Sequence, residues 1–426
     1  MAYRQSVEAI EGYLDEDIKM RILVLAGGYD QIALIDELKR YGHEIILEDY
    51  LENPPAKRAA DKFFRISTLD EMATCRLAQK EKVELITTAC TDQALLTVAR
   101  VSEKLGLPSY LSAETAMNVT NKAYMKKIFD KNGILTATSV LLEDRTKWKT
   151  QLGNEMQFPV VVKPCDCNSS KGVVKIKSME DLQRAVDAAF ELSRDGKVVV
   201  EQYIEGKEIS VDAWVENDQV KVLSISETVK TSNKDEAFII CKSIYPVDDI
   251  DIYYDKIQET ANSIMKAFQL KNCPLLIQAL IANGNVYVIE CSARMGGGTK
   301  YKLIEHMSGI NIMSVYVKRI LGNDNQILNS IRNKRYMELI YIYTKKGIVN
   351  EMVNFDKLKK ENIISDYFFY KSPGSVIEHQ ESSSDRVAGI LLMDDCKSEV
   401  DKKRSVVKGT IDVLDHGKSI ILNEWI

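Results

Sequence analysis

The stretch Tyr287–Gly298, YVIECSARMGGG, ends an apolar run with a glutamate, a serine and an arginine, then adds three glycines. Charged groups are costly to bury alone, so a strand that delivers Glu290 and Arg294 must meet a partner for them. Side chains alternate along a strand, which places Glu290, Ser292 and Arg294 on one face. Just upstream, Asn283-Gly284-Asn285 forms a hairpin turn that sets Gln278 and Glu290 on neighbouring strands. Oxygen donors so placed suit Mg²⁺, which keeps several waters and shares phosphate oxygens, while the guanidinium fork suits a phosphate or a carboxylate. A purely structural ion-pair network uses the same residue types. The glycines at 296, 297 and 298 allow backbone to approach a small molecule closely.

Two further groups carry chemistry. In VVVKPCDCNSSKGVV, Lys163 ends an apolar run, and the polar loop behind it, with Ser169, Ser170 and Gly172, has the make-up of a phosphate-covering loop. An edge hairpin with a snorkelling lysine is the alternative. In VVVEQYIEGKEISV, Glu201 ends another apolar strand and Glu205 and Glu208 flank Gly206, as ribose- or adenine-binding acids would, or as ordinary strand-end acids facing water.

These residues need positioning elements, and the chain is long enough to supply several. Its 426 residues suggest roughly two to four domains. A hydrophobic content of 45% with 28% charged residues reads as globular, and a net charge of −5 makes no electrostatic case for nucleic acid. The eight cysteines form no paired CxxC array, and Cys165-Asp166-Cys167 lacks a second pair to make a metal site. Unpaired cysteines, no signal-peptide pattern and no apolar run near the ~20 residues needed to span a bilayer predict a cytoplasmic protein without a membrane partner.

Residues 1–20 read as an acidic amphipathic extension. From RILVLAGG onward, strands alternate with helices, such as the stripe Ile32, Leu34, Ile35 and Leu38, which predicts a doubly wound parallel α/β domain over 21–118. Gly27-Gly28 lacks the third glycine of a dinucleotide fingerprint and reads mainly as a turn, with Asp49 as an isolated ribose candidate. After Asn121, a helix carrying Tyr124, Met125, Ile128 and Phe129 inward leads into an α+β region.

The ordered set Lys122, Lys163 with its polar loop, Glu201–Glu208, Gln278 and Glu290–Arg294 resembles the ATP-grasp superfamily, over Arg21 to about Gly322. The resemblance implies a Rossmann-like domain over 21–118 and an ATP-grasp domain over 119–326 with a mobile lid at about 137–203. Residues 327–426 then form a small β-rich C-terminal α+β subdomain. It implies ATP and Mg²⁺, with Mn²⁺ as a substitute. Lys122 and Lys163 match the phosphate lysines; Glu201, Tyr203 and Ile204 the adenine contacts; Glu208 the ribose acid; Gln278, Glu290 and Ser292 the metal positions; and Arg294 the arginine that steadies an acyl-phosphate. Ser292 departs from the family's asparagine, and a hydroxyl is the weaker ligand.

The run RMGGGTKYKLIEHMSG is similar to the carboxylate–amine ligase branch, including L-amino-acid ligases. That likeness implies amide formation from a small carboxylate and an amine through an acyl-phosphate, with Phe238, Lys242, Tyr245 and the three glycines facing substrate, and it admits a homodimer. Carboxylase or carbamoyl-phosphate-type chemistry is the same-fold alternative, and an ATP-binding regulator without turnover, motivated by Ser292, is the other.

Overall fold

The structure, a computed structural model, describes residues 19–153, 156–231, 238–323, 333–380 and 382–426. Of the expected extension 1–20, only Lys19 and Met20 lie within that set.

The first layer is a parallel sheet of β1 (Arg21–Leu25), β2 (Glu44–Asp49), β3 (Lys62–Arg65) and β4 (Leu85–Thr87) in the order β3-β2-β1-β4. Helices Asp30–Arg40, Glu71–Glu81 and Asp92–Leu105 accompany it, and Ile22, Leu23, Val24 and Leu25 are all buried, as a strand sandwiched between two helical layers requires. Leu34, Ile35 and Leu38 of the first helix are buried, and Ile32 is half-buried. Gly27 is structural: a Cβ there would press on Pro54, and Asp49 turns its carboxylate inward to accept from the Gly27 and Leu51 amides at 2.6 and 2.7 Å.

A small antiparallel sheet follows, built from β5 (Ser139–Leu142), β6 (Val160–Pro164), β7 (Val174–Ile176) and β8 (Val198–Gln202) in the order β5-β8-β6-β7. Helix Met179–Leu192, capped by Ser178, packs Leu182, Val186 and Ala189 against Val160, Val162, Val198 and Val200. Strand alternation then turns Val161, Lys163 and Glu201 to the opposite face, where the site lies.

The largest sheet has eight strands. β9 (Lys207–Glu216), β10 (Gln219–Lys230), β11 (Ile240–Tyr245), β12 (Cys273–Ala282), β13 (Asn285–Ser292) and β14 (Tyr336–Ile342) are joined by two C-terminal strands. Beyond β15 (Gly347–Val349) and β16 (Glu351–Val353), these are β17 (Asp366–Phe369) and, after β18 (Ser375–Ile377), β19 (Ala388–Asp394). The order is β13-β12-β9-β10-β11-β14-β19-β17. The C-terminal region therefore extends the central sheet through the β11–β14 pairing. Its other strands form the pair β15–β18 and, with β20 (Asp412–Asp415) and β21 (Lys418–Ser419), the small sheet β16-β20-β21. One core fastens the layers together: Ile22, Val24 and Leu34 of the first domain pack with Met295, Tyr301, Ile304 and Tyr316.

Candidate active site

Two contiguous chambers lie where the small sheet, the large sheet and the first domain converge. The first has a volume of about 500 Å³ and is lined by Lys122, Lys163, Ser169, Ser170, Tyr203, Ile204 and Phe238, among others. The second, of about 560 Å³, is lined by Arg294, Gly296, Gly297, Lys300, Tyr341 and Arg386, among others. Glu208, Lys230, Gln278, Glu290 and the loop Cys167–Ser170 belong to both and form the wall between them.

The turn at Asn283 and Gly284, both at positive φ, folds β12 onto β13 and brings Gln278 directly opposite Glu290. Glu290 has Lys122 at 3.9 Å, and Lys122 also donates to the Cys167 carbonyl at 2.6 Å. Those contacts fix one end of the polar loop. Ser169 and Ser170 sit at φ of 57° and 61°, curling the loop, and the Ser383 amide donates to the Ser169 carbonyl at 3.0 Å. The loop is thus closed against a C-terminal turn, between the two chambers.

Beneath the first chamber, Lys163 and Lys126 both meet Glu201, at 2.6 and 3.1 Å, with all three side chains buried. Burial alone would raise the Glu201 carboxyl, but the two ammonium groups hold it down at about 2. Burial pushes Lys126 below the usual lysine range, and Glu201 opposes that shift. The Glu201 carboxylate is therefore spent on the two lysines, which leaves an adenine contact at this position to the backbone of the 201–204 segment. Glu208 is paired with Lys230, whose ammonium also lies 4.8 Å from the Phe238 ring centroid. Lys175 covers the Tyr203 ring at 3.6 Å. The chamber is thus lined by five lysines and four glutamates, with the Tyr203 and Phe238 rings beside them.

Two acids from the first domain reach across to the segment after β13. Asp92, in the first turn of its helix, accepts from Ser292 Oγ at 2.5 Å, from Arg294 Nε at 2.9 Å and from Arg294 Nη2. Burial alone would raise the Asp92 carboxyl, yet Arg294 keeps it below the usual carboxylate range. Asp30, in the first turn of the other helix, accepts from the Gly298 and Thr299 amides at 3.0 and 2.9 Å, and its carboxyl is raised by burial. Asp92 and Asp30 are candidate positioning residues that the sequence reading missed, since acids in a first helical turn are common for capping and dipole reasons alone.

Other expected positions fall elsewhere. Ser292 lines neither large chamber; it lies with Asp92, Lys122, Glu290 and Arg294 around a smaller cavity, where its hydroxyl donates to Asp92. Glu290 and Gln278 remain as the oxygen donors, which is the share a protein supplies to Mg²⁺ when waters and phosphate oxygens complete the shell. Gly172, at φ +71°, lines neither chamber; a Cβ there would strike Leu192 and Pro164, so the glycine serves the loop's turn. Gly296 and Gly297 line the second chamber, but Gly298 is needed for packing, because a Cβ there would overlap Arg386 and Tyr341. Only the first residues of β11 reach the site, through Ile240. Lys242 lies farther along the strand, and Tyr245 packs near Tyr341 and donates to the Asn333 carbonyl at 2.6 Å. Neither lines a chamber.

Residues 156–302 match the model of the ATP-grasp domain. The D-alanine–D-alanine ligase of Staphylococcus carnosus is 30% identical over 223 residues, which is 49% of this chain and 60% of that protein. The formate-dependent phosphoribosylglycinamide formyltransferase of Actinobacillus pleuropneumoniae is 29% identical, over 43% of this chain and 47% of that protein. The chain thus spans less than two thirds of the length of these curated relatives. The crystal structure of an L-amino acid ligase from Bacillus licheniformis superposes with a TM-score of 0.79 at 20% identity, covering 93% of this chain and 99% of that one. Residues 156–302 therefore form an ATP-grasp domain, within an overall fold shared with the Bacillus licheniformis L-amino acid ligase.

Proposed function

We propose that the protein is an ATP-dependent ligase that joins a small carboxylate to an amine through an acyl-phosphate, releasing ADP and phosphate. The observation that carries this reading is the shared wall. Glu290 and Gln278 stand between a cation-lined chamber and a second chamber that holds Arg294, so a phosphoryl donor and an acceptor meet there. Lys122, Lys163 and the loop at Ser169–Ser170 would hold the phosphates, with Tyr203, Ile204 and Glu208 around the nucleoside. Glu290 and Gln278 would hold Mg²⁺, which when bound neutralises phosphate charge as the two anions approach. Arg294, fixed by Asp92, offsets the charge of the carboxylate that attacks the γ-phosphorus. The amine nitrogen then attacks the acyl carbon, and phosphate leaves with one oxygen of the original carboxylate. Closure of the loop onto Ser383 keeps water from the mixed anhydride.

No helix among the described residues is long and apolar enough to cross a membrane, and all eight cysteines are free, which supports placement in the cytosol. The commitment of Ser292 to Asp92 motivates a second reading, nucleotide binding without turnover. A screen of ADP release over pairs of amino acids decides between them. Release that depends on both an acid and an amine is expected. Release supported by bicarbonate with no amine would instead indicate carboxylase-type chemistry, and ATP binding with no ADP release for any pair would support the regulator.

A further inference from the structure

We propose that Lys300 and Arg386 together form a receptor for an anionic substrate group that takes no part in the reaction, so that one of the two ligated molecules carries a carboxylate besides the activated one. The proposal rests on the ligase reading and narrows its substrate class.

The cations around the two chambers differ in one respect. Lys122, Lys163, Lys230 and Arg294 each have a carboxylate within the 4.0 Å of an ion pair. Lys300 and Arg386, which line only the second chamber, have no such partner among the described residues; Lys171, Lys175 and Lys207 also lack one, but Lys171 is exposed to solvent, Lys175 covers the Tyr203 ring and Lys207 donates to the Asp248 carbonyl at 3.2 Å. Lys300 is nevertheless buried at 8% exposure, with its carbon stem packed against Gly296. Of the acids whose charge it feels, Asp212 accepts from the Gly296 amide at 3.2 Å and from Ser224 Oγ at 3.3 Å, and Glu208 is held by Lys230. Burying an unpaired ammonium is unfavourable, and a bound anion removes the penalty.

Arg386 is built for the same task from the opposite side. Its guanidinium lies 4.3 Å from the Tyr341 ring centroid and 5.7 Å from that of Tyr370, and its Nε donates to the Ser383 carbonyl. Those rings are themselves tied to the glycine segment, Tyr341 through the Gly298 carbonyl at 3.1 Å and Tyr370 through Thr299 Oγ1 at 2.9 Å. Asp30 lies nearby, but both of its oxygens already accept from Gly298 and Thr299. A stacked arginine held in plane recognises a carboxylate with its remaining N–H groups at little further entropic cost. Because neither cation lines the nucleotide chamber, the group they hold belongs to the far end of the acid or to the amine.

Calorimetric titration of the intact protein with ADP and Mg²⁺ present tests this without turnover. The probes are the twenty standard amino acids against their carboxamides, and succinate and glutarate against their monoamides. The expected result is binding of at least one anionic probe, with its uncharged counterpart weaker by about tenfold or more, the size of one charge-assisted hydrogen bond. Lys300→Met and Arg386→Gln should each weaken that probe by a similar factor while ADP affinity and melting temperature stay near wild type. An amino acid whose binding both variants weaken assigns the group to the amine, and a dicarboxylate whose binding both weaken assigns it to the acid. Equal binding of charged and amide forms, wild-type affinity in both variants, or no binding of any anionic probe would overturn the proposal. Binding as expected with no ADP release for any acid–amine pair would instead leave the receptor standing and remove the ligase reading.

Discussion

Replacing Glu290 by glutamine is expected to lower acid- and amine-dependent ADP release by roughly 10²–10³-fold, with nucleotide affinity reduced far less, because electrostatic groups aimed at developing charge contribute on that order. Glu290 is the wall carboxylate that pairs across the hairpin with Gln278, and its loss leaves that pair of oxygen donors without charge. Arg294→Ala is expected to fall in the same range for a different reason. It removes the cation that faces the attacking carboxylate and also leaves Asp92 buried without its partner. Asp92→Asn separates these two effects. Through its one oxygen it keeps acceptance from Ser292 Oγ and Arg294 Nε but loses that from Arg294 Nη2, which loosens the guanidinium, so it should raise KM for the acid more than it lowers kcat, with KM for ATP unchanged. Steady-state assays of the three variants read this directly. Wild-type turnover in both Glu290→Gln and Arg294→Ala would show that the chemistry lies elsewhere.

The largest effect on stability is expected at Glu201. Glutamine there leaves the Lys163 and Lys126 ammonium groups buried together with no counter-charge, a loss on the order of 3–5 kcal/mol in unfolding free energy. Adding Lys126→Met to Glu201→Gln should recover part of it, since one of the two stranded charges is removed. The pH dependence has a definite sign. The Glu201 carboxyl lies lower in the folded state than the ordinary value of 4.5, at about 2, so its contribution is complete above 4.5 and is lost as the pH falls from there through about 2. Denaturant unfolding of wild type and Glu201→Gln between pH 7 and pH 2 should therefore show the difference shrinking only at the acid end. A constant difference across that range would mean that the carboxylate is not held by the lysines.

Much of the site was legible because it depends on local periodicity. The alternation in VVVKP puts Val160 and Val162 into the core and Lys163 on the other face, and the Asn283-Gly284 turn fixes the Gln278–Glu290 register. What was not legible depends on distant partners. Asp92 and Asp30 look like ordinary first-turn acids until the fold brings Arg294, Gly298 and Thr299 against them. The helix Lys122–Lys131 reads as an apolar stripe, yet it buries Lys126 against Glu201 and leaves Tyr124 exposed, because a counter-charge on another strand outweighs hydrophobicity at that position. Lys242 and Tyr245 share a strand with Ile240, and nothing local says where along β11 the chamber ends. The joining of the C-terminal strands to the central sheet rests on the β11–β14 register, a pairing across a long separation that leaves no mark in either segment.

The central claim, that a carboxylate is activated as an acyl-phosphate, is tested most directly by isotope transfer. With the acid–amine pair selected by the ADP-release screen and the acid labelled with ¹⁸O in its carboxylate, the phosphate released is analysed by mass spectrometry. One ¹⁸O per phosphate, matched to each ADP formed, is the expected result. Stoichiometric ADP and amide with unlabelled phosphate would contradict it.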